Sequence, residues 1–342
     1  MKPVVMPPHR FPHFYRGGDR ITELRGVPGP HERSPEEWLA STTTRFGEAP
    51  AGLSVLPDGR LLRDAVAAQP EAWLGPEHLA TFGADTGVLV KLLDAGERLP
   101  VHVHPDRAWA GRHLGCRYGK TEAWYVVAAD EGAQVHLGFR HDVPRAVLAE
   151  RVERQEAAAL LDVMHARTVS AGDGILVPGG WPHAIGAGIL VVEAQEPTDF
   201  SILLEWTGFD LDGPAEGHLG LGFDTALGAV DVRGHAPDEV DALVGPRRLE
   251  RSDTVLPVLP RAADDYFRMH VARPAAAVTV PAGFAVVVTL AGTGEVTGDG
   301  AASPLSRGDV LAVPYGAGDW TLRGDVEAVV CRPALAAPQG PS

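Results

Sequence analysis

The sequence predicts a mainly β protein made of two barrels of jelly-roll type, with a helical insertion in the first. Three observations predict it. Glycine and proline are abundant, at 40 and 29 of 342 residues, which suits many short strands joined by turns. Apolar runs of strand length, rich in branched side chains, recur in both halves of the chain. The segment Gly172-x5-Pro178-x-Gly180-x2-His183 has a counterpart of identical spacing at Gly308-x5-Pro314-x-Gly316-x2-Asp319, the mark of an internal duplication.

The elements follow in order. Residues 1–60 are irregular. Ser34, Pro35 and Glu37 carry the pattern of a helix start, with a capping hydroxyl, a proline at the first helical position and a glutamate three residues on. LLRDAVAA (61–68) and PEHLATFG (76–83) have helical patterns. GVLVKLLDA (87–95), LPVHVHP (99–105), EAWYVVAA (122–129) and AQVHLGF (133–139) are predicted strands. Over 143–166 the composition shifts to Ala, Glu, Arg and Leu, with Val143, Val147, Leu148 and Val152 at helical spacing, which predicts the insertion. Strands resume at GILVPGG (174–180) and GILVVEAQ (188–195). APDEVDALV (236–244) predicts a short connecting helix, and 266–333 returns to strands and glycine turns. Upstream of the repeated motif, EAWYVVAADEG (122–132) matches FAVVVTLAGTG (284–294), which sets Glu122 against Phe284.

Composition narrows the function. The net charge of −15 disfavours a nucleic-acid partner, because binding one requires basic surface that displaces counterions. Any anion site must be a local basic pocket. Cys116 and Cys331 form no C-x-x-C pair, so the chain is neither a disulfide scaffold nor a cysteine metal site. No apolar run reaches bilayer-spanning length, and the N-terminus shows no secretion-signal pattern, so the expected setting is the cytoplasm with no membrane partner. The sequence says nothing of oligomeric state.

The chemistry gathers around one constellation. His102 and His104 are two apart on a strand and therefore share a face. Glu122 opens a neighbouring strand, and His183 follows a Pro-Gly turn that returns toward them. Three imidazoles and a carboxylate make a site for one zinc or another divalent first-row metal. The second repeat has Phe284 and Asp319 in place of Glu122 and His183, so it holds no metal. The expected organisation is a metal-binding unit over 1–235, a connection over 236–265 and a metal-free second barrel over 266–335. Of only three lysines, Lys91 and Lys120 flank the candidate ligands.

These segments resemble the type I mannose-6-phosphate isomerases of the cupin superfamily. EEWLAS (36–41) is similar to a Glu-x-Trp-x-x-Ser element, with Glu37 read as its acid one position nearer Trp38. VLVKLLDAGERLPVHVHPD (88–106), GKTEAWYVV (119–127) and GDGILVPGGWPHAIGAGILVVEAQEPTD (172–199) match the ligand-bearing segments. The resemblance implies a zinc enzyme that interconverts mannose 6-phosphate and fructose 6-phosphate through an enediol, with a sugar or sugar phosphate as its small-molecule partner. His104, Glu122 and His183 fall on ligand positions, and His102 stands where the family usually has Gln. Lys120 matches an active-site lysine and Lys91 a second pocket lysine, while Glu193 and Asp199 are candidate base or orienting groups. Trp124 and Tyr125 are read as core. Leu203 occupies the place of a family arginine, with Arg140 and Arg107 as candidates to supply the lost charge. That departure keeps two alternatives open: an isomerase or epimerase of an unphosphorylated sugar, and a non-catalytic metal-dependent sugar-binding protein.

Overall fold

A computed structural model describes residues 1–335. Strand outweighs helix, and three antiparallel sheets are stacked in layers. The middle sheet runs in the order Glu36–Leu39, Leu89–Ala95, Ile189–Gln195, Glu122–Ala129, Gly174–Val177. A second five-stranded sheet faces it, in the order Ile202–Leu203, His102–Val103, His183–Ile185, Gln134–Phe139, Met164–Thr168. An eight-stranded sheet covers the other side of the middle sheet. Its main strands are Val310–Val313, Ala285–Gly298, Trp320–Pro333 and Phe267–Ala272, and the N-terminal strand Val4–Val5 joins its edge.

The hydrogen-bonded ladders are open, not closed into the barrels the sequence led us to expect. Proline explains part of this. The H-x-H strand is only two residues long because Pro100 and Pro105 bracket it and cannot donate to a ladder.

Burial on both faces makes the middle sheet read as continuous apolar runs. Every residue of Leu89–Ala95 is buried. Leu93 and Ala95 join Trp124, Val126, Leu137 and Ile185 in the core between the two five-stranded sheets. Val90 and Leu92 join Tyr125, Phe267, Phe284 and Val329 in the core shared with the eight-stranded sheet. That alternation aims one face of the middle sheet at the candidate site.

Two expectations change. The helix start at Ser34–Glu37 is instead extended: Glu36–Leu39 pairs with Leu89–Ala95, setting Trp38 opposite Lys91. No helical stripe follows the capping pattern, and burial of Trp38 against the sheet overrides it. The insertion forms two helices, Arg145–Glu153 and Ala157–Asp162, which seat Leu148, Val152 and Leu160 on the second sheet; its last residues become the strand Met164–Thr168.

The repeat is also adjusted by one residue. Glu122 pairs with Val177, and Ala285 pairs with Val313. Val177 and Val313 are equivalent in the repeated motif, so Ala285 is the counterpart of Glu122. Phe284 points the other way, into the core shared by the middle and eight-stranded sheets. Alanine ligates no metal either, and Asp319 is exposed and accepts a bond from the Ala282 amide.

Candidate active site

His102, His104 and His183 converge between the two five-stranded sheets. His102 and His183 are direct cross-strand partners, and the three rings stand 4.2 to 4.8 Å apart between centroids. Each ring is fixed by a backbone carbonyl. Nδ1 of His102 donates to Pro100 O (2.8 Å), that of His104 to Phe200 O (2.7 Å) and that of His183 to Trp181 O (2.8 Å). A carbonyl only accepts, so Nδ1 carries the proton and each Nε2 presents a lone pair. Burial holds all three rings neutral: His102 sits well below the ordinary range and His104 is pushed down to about 3, helped by the Lys120 ammonium.

Glu122 adds oxygen. Its Oε2 lies 2.9 Å from His104 Nε2 and its Oε1 3.5 Å from His183 Nε2, while the Trp124 indole donates to Oε1 at 2.9 Å. Burial opposes its charge, but the Lys120 ammonium at 3.2 Å together with the His104 and His183 rings holds the carboxyl well below its usual range. Lys120 Nζ is also 2.8 Å from His104 Nε2. The buried Glu122 Oε2 and His183 Nε2 have no hydrogen-bond partner. Converging acceptors that Lys120 and Trp124 satisfy only in part fit a cation, and His102, His104 and His183 hold their ligating atoms within 4.8 Å of one another.

A second polar group lines the same cavity around Lys91. Its Nζ lies 3.2 Å from Glu36, 3.7 Å from Glu193 and 4.0 Å from Asp199, over the face of Trp38 at 4.6 Å. Glu36, not Glu37, is the acid here. It accepts from the Tyr15 hydroxyl and from the Trp38 indole (2.7 Å), and His13 lies 3.4 Å away. Burial would raise its carboxyl, but His13, Lys91 and the two hydrogen bonds hold it well below the usual range. Glu37 faces the other way and pairs with Arg25 at 2.9 Å. The signal for Glu36 was in the sequence: it lies two residues before Trp38, and strand alternation puts both on one face. Burial and the nearby Glu122 charge push Glu193 up to about 8 against the pull of Lys91, and its Oε1 has no hydrogen-bond partner.

Leu203 lines this cavity on the strand next to His102. Neither candidate substitute cation reaches it. Arg107 binds Glu196 at 2.6 Å and stacks on Tyr266 at 4.3 Å; Arg140 bonds the Asp162 carbonyl outside the site. Among the described residues the arginine that lines the cavity is Arg45, on the loop after Glu36–Leu39. It donates to Pro12 O (3.1 Å) and lies 3.3 Å from Glu48, and the next amide, of Phe46, donates to Asp199 at 3.2 Å. Trp124 and Tyr125 are core residues, as expected.

No family model matches the sequence. The chain is, however, 31% identical over 320 residues to a mannose-6-phosphate isomerase of Streptococcus mutans, an alignment covering 92% of this chain and 93% of that protein. The chain belongs to the mannose-6-phosphate isomerase family. Mannose-6-phosphate isomerase ManA of Bacillus subtilis is 27% identical over 324 residues, with 92% and 94% coverage. Among solved structures, the Bacillus subtilis mannose 6-phosphate isomerase superposes with a TM-score of 0.76 at 22% identity, covering 97% of this chain and all of that one. A putative mannosephosphate isomerase from Archaeoglobus fulgidus gives 0.74 at 17% identity, covering 98% of each. These structures share the fold of this chain over nearly its whole length. No helix among its described residues is long and apolar enough to cross a membrane.

Proposed function

We propose that this chain interconverts mannose 6-phosphate and fructose 6-phosphate through an enediol, using one zinc or similar divalent ion held by His102, His104, His183 and Glu122. The observation that carries the reading is the convergence of three Nε2 lone pairs and a carboxylate, beside Lys120 and opposite the Lys91 group, in one cavity. When bound, the metal supplies positive charge near the sugar oxygens that become negative in the enediol.

The rest of the chemistry falls to side chains. Isomerisation takes a proton from one of C1 and C2 and returns one to the other, so an acid and a base must flank the sugar. Glu193, largely protonated at neutral pH, is suited to deliver a proton. Lys120, beside Glu122, is assigned the partner role at the metal side. Lys91 places its positive charge toward the sugar and is held by Glu36 and Asp199. Arg45 is positioned to meet the phosphate at the cavity mouth. The cavity belongs to a cupin-type unit over 1–235, followed by a connection over 236–265 and a metal-free second unit over 266–335, and the enzyme acts in the cytoplasm.

Leu203 favours a second reading, in which the sugar is unphosphorylated. Assays of the purified, metal-loaded chain on mannose 6-phosphate, fructose 6-phosphate and the corresponding free sugars separate the two. Turnover of the phosphates is expected. Turnover of free sugars alone selects the second reading, and ligand-induced thermal stabilisation with no turnover of any selects a binding protein.

A further inference from the structure

The second unit lost its metal ligands but gained basic residues on the equivalent face. Trp124 pairs with Glu193, and Glu193 with Lys91, on the face that looks into the active site. With Ala285 in the place of Glu122, the equivalent set is Val287, Val330 and His270, which pair in the same way. Two residues further along, where the first unit pairs Leu89 with Gln195, the second pairs Arg268 with Arg332. Two arginines thus stand directly opposite each other, at the position that corresponds to the pairing partner of Glu122 and its neighbour.

Directly opposed like charges on neighbouring strands are destabilising, and both arginines are half-buried. Here neither arginine forms an ion pair with any described residue. Arg268 Nε donates to Pro333 O (3.0 Å) and Arg332 Nη2 to Ala282 O (2.9 Å). Both terminal nitrogens of Arg268, and Nε and Nη1 of Arg332, have no protein acceptor among the described residues, and that Nε is buried. Gly283 makes room for the arrangement: a Cβ there would lie 2.1 Å from Arg332 Nη2. Both arginines line a cleft beside the helix Pro76–Phe82, with Glu77, His78, Thr81 and Tyr315 as its other polar members. Glu77 pairs with neither arginine, and His78 is committed to the Asp85 carbonyl at 2.6 Å.

We propose that this cleft is a second anion site, in which Arg268 and Arg332 together bind the phosphate group of a small molecule or of inorganic phosphate. Two guanidinium forks with open donors on one side match a tetrahedral oxyanion. Burial, reinforced by Arg268, pushes Arg332 down to about 10, and burial followed by the two arginines pushes His270 down to about 4, which records the concentration of positive charge in the cleft.

The test measures binding to the metal-loaded, full-length protein by calorimetry and melting temperature, with inorganic phosphate, fructose 6-phosphate and free fructose as probes and sodium chloride at matched ionic strength as control. Inorganic phosphate should raise the melting temperature saturably, and R268M and R332M should each weaken this binding by about tenfold or more, since a hydrogen bond to a charged group contributes about 1.5–3 kcal/mol. R332K keeps the charge but loses the fork, and is expected to bind several-fold more weakly; it also serves if a methionine variant fails to fold. A response to fructose 6-phosphate that these variants reduce identifies an ester as ligand, and a reduced response to inorganic phosphate alone identifies the free anion. Phosphate bound at the metal cavity would survive all three substitutions. Unchanged binding in them, or no saturable phosphate binding in the wild type, overturns the proposal. Isomerase turnover is a separate readout, so failure of the anion site and failure of the isomerase reading are distinguishable.

Discussion

His102 stands opposite His183 across two antiparallel strands, with ring centroids 4.2 Å apart and each Nδ1 tied to the carbonyl of the residue two positions before it. The register of two short strands therefore presets the positions and tautomers of two imidazoles that could hold a metal. Replacing His183 with Ala should reduce bound metal to well below one per chain and abolish turnover, measured by metal analysis of the dialysed protein. H102Q should keep a weaker site, because an amide oxygen is a poorer ligand than an imidazole for a first-row ion.

Chelation should lower stability as well as activity. A ligand that binds only the folded state at a hundred times its Kd contributes about 2.7 kcal/mol. Stripping the metal should accordingly lower the melting temperature by several degrees, and zinc should restore it. An unchanged melting temperature would count against a metal at the imidazole cluster.

Glu36 anchors Lys91. In E36Q the lysine keeps Glu193 and Asp199 but loses its nearest partner at 3.2 Å. Breaking a buried pair on one side costs about 3–5 kcal/mol, so E36Q should be clearly less stable in denaturant. E37Q breaks the pair with Arg25 and should lose stability without a direct effect on kcat, which distinguishes the two neighbouring acids.

How legible was this site? The grouping of His102, His104 and His183 was readable because two-residue spacing on a strand fixes a shared face, and because the Gly-Pro-Gly-His turn had a repeat to compare with. Glu36 was harder to see, since Ser34, Pro35 and Glu37 imitate a helix start and only the pairing of Trp38 with Lys91 shows the segment to be a strand. The strand runs were visible in composition, whereas the open ladders and the one-residue offset between Phe284 and Glu122 depend on pairings that no local pattern encodes. Arg45 was missed for a related reason: it lies on an irregular loop far in sequence from Leu203, and the fold alone brings the two to one cavity.

Glu193 gives a pH signature. Its folded value of about 8 lies above the ordinary 4.5, so between these limits the folded chain binds more protons than the unfolded one. Its contribution to stability is present in full below about pH 4.5 and is lost as pH rises toward 8. E193Q, neutral throughout, should gain stability relative to wild type across that window, measured by denaturant titrations at several pH values. Its kcat should fall by about 10²–10⁴ if Glu193 acts as a general acid.

Arg45 is expected to govern recognition of the phosphate rather than the proton transfer. R45Q should raise KM for mannose 6-phosphate by about ten- to a hundredfold, the range of a lost charge-assisted contact, with little change in kcat and none in the handling of free sugars. A loss confined to kcat would place Arg45 at the reacting carbons instead.

The central claim is enediol isomerisation of a sugar phosphate at the His102–His104–His183–Glu122 site. The most direct measurement is NMR of fructose 6-phosphate incubated with the zinc-loaded chain in D2O. The account predicts that mannose 6-phosphate appears, part of it carrying solvent deuterium at C2, and that H183A yields none. Zinc-loaded protein that forms no mannose 6-phosphate, or an H183A variant that forms it at the wild-type rate, would contradict it.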